Sequence, residues 1–463
     1  MELAVTTPAK AASDDPRLRV LALLKRWGWN VTSFQVLGAG FSYWFYGTEA
    51  VVAYVDTGSA WVAAGSPIAP ESELVRVARA FTEHARENGR RVAFFATERR
   101  FVDQGAFDAL LIGEQPSWHP ETWAATVENV RSLREQLRRA RARGVAITRL
   151  DAREVGSAND GVRPEIEALI ARWLDTKPMQ PMGFLVRIAP FAFAEERRLF
   201  VARCGDRLVG FASVVPVYAR KGWFIENLVR APDAPNGTTE LLVDSVMRDA
   251  AATQSEYVTL GLAPLAGAVP AALRRLRTYV TGLYDFAGLH SFKAKFRPRE
   301  WASIHLSYPP EQTSHAALYD SLAAFARGGL LRYGLETLLR GPPIVVRVLA
   351  LLLVPWTAIL AGADTEHWFP SPWVQWFWVT FDIGLAVALF SLGMRWRPRL
   401  ASALVVLIAC DAIATFLEVV LFDVPRLSRF VEGLVVTVAI AAPLLAAVVL
   451  RNARRRSLRS AAQ

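Results

Sequence analysis

An acid, an amide and a guanidinium stand close together at Glu226, Asn227 and Arg230, in the run Trp223-Phe-Ile-Glu-Asn-Leu-Val-Arg230. Aromatic and β-branched residues interleave with polar ones there, which predicts a strand over Gly222–Arg230. Strand alternation puts Glu226 and Arg230 on one face, with Leu228 between them, and Asn227 and Val229 on the other. An acid and an arginine near a strand end can activate an amine or hydroxyl, or hold a carboxylate or phosphate. The same pair can equally be a structural salt bridge. Next comes the turn Pro235-Asn236-Gly237-Thr238-Thr239, which opens a helix predicted over 238–253. Gly237 permits a tight backbone and either threonine can cap the helix, leaving N–H groups for a phosphate or carbonyl oxygen.

Two of the six lysines in the chain fall in Phe292-Lys-Ala-Lys-Phe296. Read as a strand-like segment, Lys293 and Lys295 share a face and suggest an anion site. Tyr284 and Asp285 lie just upstream. No His-Glu-x-x-His, Cys-x-x-Cys, P-loop or Gly-x-Ser-x-Gly occurs, so metal, nucleoside-triphosphate and serine-hydrolase chemistry have no support. No cofactor is implied.

The elements around these residues repeat. Ala50–Asp56 and Ser59–Ala64 read as strands about a turn, followed by an amphipathic helix over 71–87 and strands at 91–96 and 108–112. Then 198–204, 208–215 and 222–230 read as strands, 238–253 as a helix and 257–262 as a strand. Such order gives mixed α/β layers. The fold class expected is α/β: tandem N-acyltransferase-like mixed-sheet domains followed by a four-helix transmembrane unit. In acetyltransferases of this build the helix-opening turn holds the cofactor pyrophosphate. The Arg/Gln-x-x-Gly-x-Gly pattern for that task is missing, which argues against ordinary acyl-CoA use. Between the halves, Trp123–Gly144 reads as one long helix with an apolar stripe at Val127, Val130, Leu133 and Leu137. Its other faces carry Arg131, Arg134, Arg138, Arg139 and Arg141, either a solvated basic face or a cradle for RNA phosphates or lipid head groups.

The chain has 463 residues and a formal charge of +10, which suits anionic partners. Its two cysteines, Cys204 and Cys410, argue against a disulfide framework and fit a reducing compartment. The first residues hold no apolar core of signal-peptide length. Four apolar stretches, 344–362, 374–393, 400–422 and 434–450, each approach the ~20 residues that cross a bilayer. Arginines gather before the first, between the second and third, and after the last, whereas 363–373 has none. Both termini and residues 1–340 are therefore expected on the cytoplasmic side of a bacterial inner membrane, with several spans. Asp382, Asp411 and Glu418 fall inside spans, where charge is costly, so they either serve a function or pair within the bundle.

Six ordered motifs carry a resemblance: Leu111-Ile-Gly-Glu114; Trp173-Leu-x-x-Lys177 followed by Gly183-Phe184; Asn227-Leu-Val-Arg230; Gly261-Leu-Ala-Pro-Leu265; Leu283-Tyr-Asp-Phe-x-Gly-Leu289; and Phe292-Lys-Ala-Lys-Phe296 ahead of Ser307-Tyr-Pro309. Over about 34–309 the chain resembles the C-terminal synthase domain of the lysyl/alanyl-phosphatidylglycerol synthases, the multiple peptide resistance factor family. The resemblance implies transfer of an aminoacyl group from charged tRNA to the glycerol hydroxyl of phosphatidylglycerol or a related lipid, with tRNA and anionic lipid as partners and no DNA. It implies catalytic roles for Arg230 and Tyr284, with Glu226 and Asn227 beside them. Substrate binding would fall to Glu114, Lys177, Asn236, Gly237, Thr238, Lys293 and Lys295. The family motif has an acid where Asn227 stands and a lysine where Leu111 stands. An acyl-CoA- or acyl-carrier-dependent lipid acyltransferase, or a non-catalytic lipid- or RNA-binding protein, are the other readings. The expected segments are 1–122 and 151–310 for the two halves, a basic helix over 123–150, a connector over 311–343, spans over 344–450 and a basic tail over 451–463.

Overall fold

The computed structural model describes residues 15–156, 161–177, 182–280, 285–326, 329–330, 332–334, 343–394, 397–423 and 430–461. The chain divides into two compact units, one of Met1–Leu174 with Pro181–Leu330, the other of Asp175–Gln180 with Leu331–Gln463.

The first unit is built on strands β1 (Ser42–Tyr46), β2 (Ala50–Asp56), β3 (Ala60–Ala64), β4 (Arg91–Thr97), β5 (Asp108–Trp118), β6 (Val145–Leu150), β7 (Arg198–Cys204), β8 (Arg207–Val217), β9 (Gly222–Arg230), β10 (Tyr257–Thr259), β11 (Ala263–Pro264) and β12 (Glu300–Tyr308). They form a single sheet in the order β1-β2-β3-β4-β12-β5-β10-β9-β8-β7-β6, with β11 paired to β5. Strand β12 lies between β4 and β5, so the two halves share one sheet rather than standing as separate layers.

The internal repeat is explicit in the pairing. In each half an antiparallel hairpin, β2–β3 or β8–β9, is followed by a helix and a parallel return strand. The crossover helices are α2 (Leu74–Glu87) and α6 (Thr238–Ala252), other helices being α1 (Pro16–Trp27), α3 (Trp123–Asn129), α4 (Arg131–Ala142), α5 (Arg163–Asp175), α7 (Ala271–Val280), α8 (Phe286–Ala294) and α9 (Ser314–Phe325). Helix α2 buries Leu74, Val77, Ala78, Phe81 and Ala85 at helical spacing, and Phe81 packs among Trp44, Tyr54, Trp61 and Phe94. Helix α6 is buried along most of its length, with Leu241, Leu242, Val243, Val246, Met247 and Ala250 in the core of the second half.

The halves differ at one point. Strands β3 and β4 stay paired from Ala60–Arg91 to Ala64–Phe95, and Gly65 N–H continues the ladder to the Phe95 carbonyl at 2.7 Å. Strands β9 and β10 pair only from Gly222–Tyr257 to Phe224–Thr259. Beyond Thr259 the chain turns away to pair with β5 through β11, so the strand expected over 257–262 ends early and the sheet opens beside Ile225–Arg230.

The basic segment expected as one helix is two. Val130 (φ −99°, ψ 91°) leaves the helical region and separates α3 from α4. The kink lets Trp123 and Val127 of α3, and Leu133, Leu137 and Ala140 of α4, all reach the core of the second half.

In the second unit, helices α10 (Pro343–Ala361), α11 (Pro372–Met394), α12 (Pro398–Glu418) and α13 (Phe430–Ala461) bury Val346, Leu385, Leu389, Leu404, Ile408 and Leu450 against one another. Three segments are long and apolar enough to cross a membrane: Pro372–Leu392, Arg399–Phe422 and Val435–Asn452. The first expected span forms a helix, but its described apolar run, Leu349–Ala361, is shorter than a bilayer needs. Asp382 and Asp411 are buried in α11 and α12, and Glu418 accepts a hydrogen bond from Trp378 Nε1 at 2.7 Å.

Candidate active site

The strand that opened the sequence reading carries a bulge. Val214 pairs with Ile225 and Ser213 with Asn227, so Glu226 is an extra residue with no opposite number. A bulge breaks strand alternation. It turns Glu226 toward Asn227, whose Nδ2 donates to Glu226 Oε2 at 3.0 Å. Arg197 Nη1 donates to the same carboxylate oxygen and to Ser213 Oγ at 3.0 Å, while its Nε donates to the Ala192 carbonyl at 2.7 Å. The Arg197 and Glu226 side chains are 5% and 6% exposed, and the guanidinium lies 5.1 Å from the Phe34 ring centre. The expectation that Glu226 and Arg230 share a face is therefore corrected. Gly210, directly opposite Arg230, faces Thr238 and Leu242 of α6, so Arg230 belongs to the α6 side of the sheet. Arg230 is half-buried and has no ion-pair partner among the described residues.

The turn at Asn236–Thr239 is not an open cradle. Gly237 sits at φ +94°, and a Cβ there would overlap the Gln136 carbonyl oxygen of α4. Gly237 and Thr238 are buried, Thr238 Oγ1 donates to the Pro235 carbonyl at 2.7 Å, and only Asn236 is exposed. Glu240, in the first turn of α6, takes an ion pair from Lys295 and complements the positive helix end from within.

The two lysines are helical, not strand-like. Lys293 lies near the end of α8 and Lys295 just past it, so they project in different directions. Lys293 is 4% exposed and its Nζ donates to the carbonyls of Leu260, Gly261 and Leu262, each at 2.8 Å. It pins the loop that leaves β10, which is the floor of the opening in the sheet. Burial works to lower its pKa to about 7. The three carbonyls oppose this, because only the ammonium form has three N–H donors to give. The shared strand face expected of this pair is thus corrected: Lys293 is given to backbone carbonyls and Lys295 to Glu240.

A cleft of about 310 Å³ adjoins that loop, lined by Pro264, Ala266, Gly267, Arg277, Phe286, Ala287, His290 and Ser291. Glu114, on β5, borders it: Gly267 (φ +75°) lies against the Glu114 carboxylate, where no Cβ would fit. Arg277 Nη1 donates to the Leu265 carbonyl at 3.0 Å, and His290 stacks on Trp301 at 4.5 Å. The cleft is lined by an engaged guanidinium, an imidazole and a hydroxyl on an otherwise apolar wall. Tyr284 lies outside the described residues. Lys177 follows α5 in the stretch 175–180 that belongs to the second unit.

On α4, the arginines separate into kinds. Arg141 reaches inward to Asp244 at 2.9 Å and Arg138 and Arg139 pair with Glu135, whereas Arg131 and Arg134 are exposed without a partner among the described residues. Asp244 is 1% exposed and also accepts from Trp123 Nε1 at 2.9 Å and Arg248 Nε at 3.0 Å. Arg141 thus ties α4 to α6 through buried Asp244 while more than half of its own side chain stays exposed. No group of three or more His, Cys, Asp or Glu able to hold a metal occurs among the described residues.

The sequence that folds into this sheet matches a known family. The family model for the C-terminal region of phosphatidylglycerol lysyltransferase matches residues 21–306. The chain belongs to this family. A Bacillus subtilis phosphatidylglycerol lysyltransferase is 23% identical over 335 residues, covering 68% of this chain and 37% of that protein. A lysylphosphatidylglycerol biosynthesis bifunctional protein LysX of Mycolicibacterium gilvum is 25% identical over 225 residues, covering 46% of this chain and 20% of that protein. The chain thus spans between a fifth and two fifths of these relatives' length. Among solved structures, L-PGS from Bacillus licheniformis superposes with a TM-score of 0.58 at 20% identity, covering 67% of this chain and 97% of that one. A C-terminal domain of an Agrobacterium fabrum protein assigned as a lysylphosphatidylglycerol synthetase gives 0.58 at 22% identity, covering 68% and 98%. These establish a shared fold.

Arg197, the bulge and the cleft arginine Arg277 escaped the sequence reading. Arg197 lies 29 positions from Glu226, and no local pattern ties the two.

Proposed function

We propose that this protein moves an aminoacyl group from aminoacyl-tRNA to the glycerol hydroxyl of phosphatidylglycerol or a related anionic lipid, at the cytoplasmic face of a bacterial membrane. The observation that carries the reading is the family match across 21–306, over a fold whose second half alone is open. In the reaction the lipid hydroxyl oxygen adds to the ester carbonyl, the ester bond to the ribose breaks, and the hydroxyl proton ends on the departing ribose oxygen. Chemistry of this kind consumes no cofactor. The chain's contribution is position and charge. Arg230, without an ion-pair partner among the described residues, would stabilise the carbonyl oxygen or a phosphate. Arg277 and Ser291 in the cleft suit a phosphodiester on an apolar wall. The exposed Arg131 and Arg134, with Arg138 and Arg139, suit the tRNA backbone. Glu226 is a poor choice of base, because its buried carboxylate is ion-paired to Arg197 and the same oxygen accepts from the Asn227 amide. Glu114, Lys177 and Tyr284 remain candidates by their place in the motifs. The apolar helices would hold the enzyme at its lipid substrate, crossing the bilayer several times with both termini cytoplasmic and the segments divided as the sequence suggests.

The acyl-CoA reading has less support. The α6 N-terminus, where a pyrophosphate would sit, is covered by α4 and by the Glu240–Lys295 pair.

The test uses the purified full-length protein in vesicles containing phosphatidylglycerol, with radiolabelled aminoacyl-tRNA. Label should enter the lipid fraction, and ribonuclease treatment of the donor beforehand should abolish it. Label transfer from acyl-CoA but not from aminoacyl-tRNA would refute the proposal.

A further inference from the structure

We propose that Arg197 and Glu226 are positioning residues whose task is to fix the side-chain amide of Asn227 in the transferase site. This rests on the aminoacyl-transfer reading. A buried ion pair is a poor way to stabilise a fold, since apolar residues of similar volume usually do as well or better. Here two nine-tenths-buried charges sit at a strand bulge, the kind of irregularity that re-aims side chains near sites. Arg197 is itself held by the Ala192 carbonyl, Ser213 and the Phe34 ring. All of this holds one carboxylate oxygen against one amide N–H. With Nδ2 donating to Glu226, Asn227 Oδ1 is turned the other way, as a neutral acceptor with no hydrogen bond among the described residues. A substrate N–H or O–H group would meet that oxygen. Glu226 thus acts through Asn227 and touches no substrate.

The experiment compares two double variants of the full-length protein, Arg197→Met with Glu226→Gln and Arg197→Met with Glu226→Leu. Both remove the charges, but the glutamine variant keeps an acceptor for the Asn227 amide and the leucine variant does not. The first should keep kcat within about threefold of wild type, and the second should lose about tenfold or more in kcat with KM for lipid and tRNA little changed. Equal turnover in the two folded variants, whether normal or lost, would overturn the proposal. Should the leucine variant fail to fold, the glutamine variant decides: turnover lost in the folded protein overturns the inference. A crystal structure of each gives a readout independent of activity. Asn227 should keep its orientation in the glutamine variant and rotate in the leucine variant, and the same orientation in both would overturn the inference. A wild-type protein that makes no aminoacyl lipid removes the transferase reading, while those structures still decide the role of the pair.

Discussion

At the scale of single residues, the side chains with chemistry in the sequence prove to be of two kinds, those spent on the protein and those left over. Lys293 is spent: it ties three successive carbonyls of the loop that floors the opening. Replacing it by Met leaves buried acceptors unsatisfied at about 1–3 kcal/mol each, so the variant should melt well below wild type and lose activity together. A thermal melt beside a turnover assay checks both. The protonation state of Lys293 gives a sign test. Were burial to win, with a folded pKa of about 7 against 10.5 when unfolded, the unfolded chain would bind the extra proton between those values. Stability would then rise with pH across that window. The three carbonyls predict instead that the difference in melting temperature between wild type and Lys293→Met shows no such rise from about pH 7 to 10. Lys293 was legible as important from its motif, but its role was not. Its partners are backbone carbonyls some thirty positions away, and backbone acceptors carry no sequence signature.

At the scale of elements, the hairpins and crossover helices were legible because alternation and helical periodicity are local. Strand β9 and helix α6 fall almost where the residues place them. The bulge at Glu226 was not legible, since it depends on the register with β8, a property of two strands. The same holds for the turn at Gly237, which reads as an anion cradle until α4 is laid across it. Gly237→Ala should demonstrate that packing. At φ +94°, with the Gln136 carbonyl in the way, the variant should lose about 2 kcal/mol or more, read as a shift of the denaturation midpoint. The exposed side of α4 makes the opposite prediction. Changing Arg131, Arg134, Arg138 and Arg139 together to Ala should leave the melting temperature nearly unchanged. It should weaken tRNA binding about tenfold or more near 0.1 M salt, with a shallower salt dependence. Unchanged binding would move the RNA contact elsewhere on the unit.

At the scale of the whole molecule, a sheet unit that matches a lipid-modifying family is joined in one chain to helices able to cross a membrane. Hydropathy made that division legible, because an apolar run of bilayer length needs no partner to be recognised. The opening in the second half was not legible, because it arises where the chain beyond β10 leaves β9 and pairs with β5 through β11. Catalysis on a lipid should need this opening and Arg230 beside it. Lipid mass spectrometry on cells expressing the protein, beside an Arg230→Ala control present in the membrane at the same level, tests this most directly. A new aminoacyl lipid should form with the wild-type chain, its mass giving the group transferred, and should be lost in the variant. The same product in equal amount from both chains would contradict the role given to Arg230. No new lipid from the wild-type chain, in a host that supplies phosphatidylglycerol and a full set of charged tRNAs, would contradict the transferase reading itself.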